Sequence, residues 1–85
     1  MKDKVGIYYY PNPENKRIRM YVREKGGEVE FRIRNEDDSG IWNEHGWIPH
    51  TAILQAQVLY KNRGTFDPNR AYDIEIAKAV IKDDG

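Results

Sequence analysis

Few residues in this chain are equipped for chemistry. His45 and His50 stand five positions apart, with Glu44 and Asp38 close by. A metal needs three or four such ligands to converge, and this spacing matches no standard zinc pattern. Asn35, Asp37, Ser39 and Gly40 follow the opening order of a calcium loop. The twelfth place of that loop must carry a bidentate Glu, and here it is Gly46. Ser39 sits in "DDSG", without the strand-to-helix turn that exposes a nucleophilic serine. There is no cysteine, which removes disulfides and thiolate chemistry together. None of the glycines is expected to open a helix after a strand in the way a phosphate-binding loop requires. The sequence therefore predicts no catalytic residue, no metal, no cofactor, and a protein that is not an enzyme.

The other reactive surface is cationic and aromatic. "RIRMYVREKGGEVEFRIR", residues 17–34, alternates apolar and charged residues around Gly26 and Gly27. One side of this pattern collects Tyr8, Tyr10, Arg17, Arg19, Tyr21, Arg23, Arg32 and Arg34, with Glu28 and Glu30 at one end. Guanidinium forks can hold phosphates while tyrosines stack on bases. The same residue types dominate protein-binding hot spots. They also make an ordinary solvated face, in which each Tyr packs on a neighbouring Arg stem. A second, weaker binding set is Trp42, His45, Trp47 and His50, in the irregular stretch and just after it.

These residues must be positioned by strands and helices. Gly26-Gly27 suits a two-residue hairpin turn, which needs positive φ. It places Val22 opposite Phe31 and Met20 opposite Ile33 on an apolar side. Arg23 then faces Glu30, Tyr21 faces Arg32, and Arg19 faces Arg34. Like charges directly opposite are destabilising, so Arg19 and Arg34 require an anion. Glu36, Asp37 or Asp38 could supply it internally, or a ligand could. "VGIYYY" followed by "PNPENK" predicts a further strand. With Tyr10 opposite Arg17, Val5 meets Val22, Ile7 meets Met20 and Tyr9 meets Ile18, while Tyr8 lies beside Arg19. The result is a three-stranded antiparallel meander over about residues 4–10, 17–24 and 28–34.

Residues 35–48 read as an irregular loop whose Trp42 or Trp47 folds back over one end of the core. Pro49 and Gly64 bracket a predicted helix over about 49–62. Ala52, Ile53, Ala56, Leu59 and Tyr60 form its broad apolar face, and Leu54 and Val58 a second stripe. Partial alternation leaves a fourth strand there as the alternative. Asp67 and Pro68 open a second helix over about 68–82. Its apolar positions are Tyr72, Ile74, Ile76, Ala77, Val80 and Ile81. Asp73 falls among them and is expected to pair with Arg70 or Arg63. The predicted fold is α+β, a single βββαα domain of 85 residues, with both helices on one sheet face and the Arg/Tyr face open.

Composition sets the outer limits. Lys plus Arg equals Asp plus Glu at 14 each, so the whole-chain cationic footprint of a nucleic-acid binder is absent. No apolar run suits a signal peptide or a membrane span, and a cytoplasmic protein is expected. "GWIP" (46–49) resembles the end segment of SH3 domains, which helps line a groove for proline-rich peptides. "GTFD" and "RAYD" are similar to pieces of the AP2 DNA-binding domain, a three-stranded-sheet reader of DNA. Each match covers only a few residues, the flanking motifs of both families do not follow, and no family is assigned. The expected function is a small non-catalytic interaction module. It binds a protein partner, or itself, through the Arg/Tyr face or the Trp loop. Nucleic acid through the same face is the alternative, and a small enzyme or metal protein the third. No small-molecule substrate and no membrane partner is expected.

Overall fold

The computed structural model describes residues 1–60 and 72–84. The fold is α+β, an antiparallel sheet followed by helices, and the described residues hold one strand and one helix beyond the predicted set. The strands are β1 (Ile7–Tyr9), β2 (Ile18–Lys25), β3 (Glu28–Asn35) and β4 (Ile48–Pro49), in the spatial order β1-β2-β3-β4. The helices are α1 (Gly40–His45), α2 (His50–Tyr60) and α3 (Ile74–Asp84).

The β2–β3 hairpin has the register predicted from its turn, with Val22 opposite Phe31, Tyr21 opposite Arg32 and Arg19 opposite Arg34. Gly26 and Gly27 lie at φ 61° and 81°, the left-handed pair that a tight hairpin with this twist demands. The β1–β2 register differs from the expectation by two residues. Ile7 faces Val22, Tyr8 faces Tyr21, and Tyr9 faces Met20. The long connection at 10–17 does not fix register as a two-residue turn does. A shift of two leaves every side chain on its original face, because side chains alternate with period two.

One face of the sheet carries the core. Tyr9, Met20, Val22, Val29 and Phe31 are buried there against Ile53 of α2 and Ala77 of α3. Ile74, Val80, Ile81 and Tyr72 pack around them. The strand alternative for residues 50–60 is not what forms; the segment is helical. Its second stripe is not wedged at Leu54, which stays exposed, and Ile76 of α3 is likewise exposed.

Two helix boundaries follow from capping rather than from the predicted signals. Glu28 of β3 reaches the start of α2, where its Oε1 accepts from Thr51 N (3.1 Å) and Thr51 Oγ1 (2.6 Å). These bonds hold the Glu28 carboxyl below its usual range. Asp73 is the N-cap of α3, its Oδ1 accepting from Glu75 N (3.0 Å) and Ile76 N (3.2 Å). The second helix therefore does not run unbroken over 68–82. The proposed start at Asp67 and Pro68, and the partners Arg63 and Arg70, lie outside the described residues.

Among the described residues, no helix is long and apolar enough to cross a membrane.

Candidate functional site

The irregular stretch turns out to hold the short helix α1, which Gly46 terminates at φ 59°. A six-residue helix is too short to be stable alone, and Ser39 gives it no side-chain cap. It is held by docking. The Arg32 guanidinium stacks on the Trp42 ring at 3.8 Å and donates to the Trp42 carbonyl through Nε (3.0 Å) and NH2 (2.7 Å). Trp42 meets the Tyr21 ring edge-on at 5.4 Å and Trp47 at 6.4 Å. Trp47 in turn carries the Arg23 guanidinium at 4.2 Å. The tryptophans thus cover the Arg/Tyr face, not one end of the core.

The opposite flank is covered by residues 1–6, which fold back as a strap. Lys2 bridges to Ile7, and Tyr8 N–H donates to the Met1 carbonyl (2.9 Å). Asp3 turns the strap: its Oδ1 accepts from Val5 N (2.8 Å) and Gly6 N (3.2 Å), an Asx-type turn. Its other oxygen, Oδ2, accepts from the Tyr21 hydroxyl and from Arg19 NH1 (3.1 Å). Burial alone would raise the Asp3 pKa. The bonds from Tyr21, Val5 and Gly6 and the Arg19 charge outweigh it, and the carboxyl sits below its ordinary value.

The Arg/Tyr face is therefore not open, as the sequence led one to expect. Tyr21 is fully buried, at 0% exposure, because Trp42, Tyr8 and Asp3 enclose it. The missed elements are α1, hidden in a polar stretch without a cap, and Asp3, whose only signal is the Asp-x-x-Gly spacing of Asp3 and Gly6.

The arginines separate into distinct environments. Arg17 pairs with Asp37 at 2.7 Å on an exposed rim. Arg23 donates to Glu30 at 2.7 Å. Arg19 lies under the Tyr8 ring (4.8 Å) and pairs with Asp3, not with Glu36, Asp37 or Asp38. The adjacent Tyr21 oxygen raises its pKa beyond what burial takes away, so it is permanently charged. The Arg19 Nε–H is buried and has no hydrogen-bond partner among the described residues, a state that costs about 1–3 kcal/mol. Arg34, directly opposite, is exposed and makes no ion pair among the described residues. It lines a cleft of about 490 Å³ with Val5, Asn35, Glu36, Ser39 and Trp42.

Of the remaining candidates, Tyr10 stands edge-on to Tyr8 at 5.7 Å. His50 is separated from the tryptophans: it lies on the core side of the sheet, 6.2 Å from the Phe31 ring. The His45 side chain is outside what the structure describes. Among the described residues, no three His, Asp or Glu side chains come together to hold a metal. The site is thus a cation–aromatic cleft between the strap and α1, with Arg34 and Asn35 of β3 in its lining. No family model matches this chain, and neither a curated protein nor a solved structure matches it.

Proposed function

We propose that the domain is a non-catalytic interaction module that holds an acidic segment of a partner protein in the cleft between the strap and α1. The reading rests on Arg34. It is the guanidinium on this face that no carboxylate or carbonyl among the described residues engages, and it stands across from a second guanidinium. Trp42 and the half-exposed Val5 beside it supply apolar contact, so the cleft combines the residue types that carry binding energy at interfaces. A cysteine-free composition suits a reducing, cytoplasmic setting.

The nucleic-acid reading has less support. Arg17, Arg19 and Arg23 are charge-paired internally, and Arg32 is stacked and hydrogen-bonded to Trp42. Arg34 is then the one arginine of this face, among the described residues, left without such a contact, and a single cation releases about one counterion, too few for a salt-dependent polyanion grip.

The test is an NMR titration of ¹⁵N-labelled protein with a Glu/Leu-alternating peptide and, separately, with single-stranded RNA. The peptide is expected to shift the Arg34 Nε–H and Trp42 Nε1–H resonances saturably, and Arg34→Gln to weaken binding about tenfold. Shifts produced by RNA and not by the peptide would overturn the proposal.

A further inference from the structure

The contact between Asp3 and Arg19 has the form of a bound ligand supplied by the chain itself. Asp3 reaches Arg19 through NH1 alone, with the same oxygen that accepts from the Tyr21 hydroxyl. The side-on edge of the guanidinium is the one that binds a carboxylate with two parallel bonds. On that edge, Nε–H is buried and has no partner among the described residues. Asp3 sits off that edge, on NH1, and so holds Arg19 through a single bond.

The strap that delivers Asp3 is held by polar contacts more than by apolar burial. Met1 and Val5 remain 48% and 47% exposed, so its apolar burial is small. Val5 borders two clefts, the one of about 490 Å³ beside Arg34 and another of about 360 Å³ formed with Lys2, Ile7, Arg23, Trp47 and Ile81. A segment with open space on two sides and few buried apolar contacts belongs to the part of a fold that opens most readily.

We infer that Arg19 and Tyr21 form a second carboxylate-binding site, that Asp3 occupies it as a displaceable internal ligand, and that a carboxylate of the acidic partner replaces Asp3 on Arg19 NH1 and the Tyr21 hydroxyl. This extends the acidic-partner reading from Arg34 to its cross-strand neighbour. Two carboxylates on the partner would then meet Arg34 and Arg19, and the strap would gate the second contact. The repulsion between the two opposed guanidiniums is relieved most fully when both are engaged.

The experiment uses the Nε–H resonances of Arg19 and Arg34 in the full chain, with sodium formate as the probe and sodium chloride at equal ionic strength as the control. In the unaltered protein, formate is expected to leave the Arg19 resonance unmoved. In Asp3→Ala it should shift Arg19 saturably, and chloride should not. A folded Asp3→Ala protein, judged by the amide dispersion of the β2–β3 hairpin, whose Arg19 resonance ignores formate would overturn the inference. Should Asp3→Ala fail to fold, Asp3→Asn keeps the Val5 and Gly6 bonds while removing the charge, and the same two outcomes apply to it. The two proposals fail separately. A Glu/Leu peptide that shifts Arg34 but never Arg19 in the strap variant defeats this inference alone, whereas a silent Arg34 defeats the cleft reading.

Discussion

Replacing Arg32 by Lys keeps the charge on β3 but removes the planar fork that fastens α1. The Trp42 carbonyl accepts two charge-assisted bonds from Arg32, and the guanidinium lies 3.8 Å above the indole. A lysine ammonium can make one such bond and cannot stack as a plane. The loss of one charge-assisted bond and part of the stacking, discounted for the half-exposed site, comes to about 1.5 kcal/mol. For a domain of this size that lowers Tm by roughly 6–12 °C. Trp42 and Trp47 are the two tryptophans of the chain and meet within this cluster, so intrinsic fluorescence reports the docking of α1 directly. In Arg32→Lys the fluorescence transition is expected to precede the loss of far-ultraviolet circular dichroism, because α1 detaches before the hairpin melts. Arg17→Lys is the comparison. Its pair with Asp37 is largely exposed and should cost less than about 0.5 kcal/mol. An Arg32→Lys protein with Tm within about 2 °C of the parent and unchanged fluorescence would refute the docking argument.

Three further outcomes follow from the same geometry. Burial pushes the Tyr9 phenol up to about 12. Its contribution is complete below the ordinary value near 10 and is lost as pH rises toward 12, so chemical-denaturation stability should fall by about 2 kcal/mol across that window; Tyr9→Phe should flatten the fall. Gly27 has open space where a Cβ would project, but φ is 81°, so Gly27→Ala should cost about 1 kcal/mol through backbone strain alone, while Asn there costs less. Asp73→Ala removes the α3 cap and should lower stability by about 1 kcal/mol, with Asp73→Asn recovering most of it, both read from urea midpoints.

The legible part of this fold was the part with short-range determinants. Gly26 and Gly27 fix the hairpin register because two positive-φ residues leave the strands one way to pair. The β1–β2 register slipped by two because the turn at 10–17 is long, and apolar alternation is blind to a slip of two. The pairing of Arg19 with Arg34 was visible, and so was its need for an anion. The identity of that anion was not. Glu36, Asp37 and Asp38 are near in sequence, but Asp3 arrives from sixteen residues upstream through a strap with almost no apolar pattern. The covering of the sheet by Trp42 escaped for a related reason. α1 lacks a cap and an amphipathic stripe, and it exists because Arg32 and Tyr21 receive it, a tertiary cause that no local window contains.

The strap has one more role, which concerns the rim of the sheet. By pairing Met1 and Lys2 with Ile7 and Tyr8, it sheathes the outer edge of β1. At the far rim, β4 is two residues long and contains Pro49, which offers no N–H to a newcomer. A sheathed β1 and a short, Pro-containing β4 are common protections against edge-to-edge aggregation. The same residues that place Asp3 on Arg19 keep β1 sealed. Whatever lifts the strap therefore does two things at once. It releases the Arg19 guanidinium from Asp3, and it bares the hydrogen-bonding edge of β1.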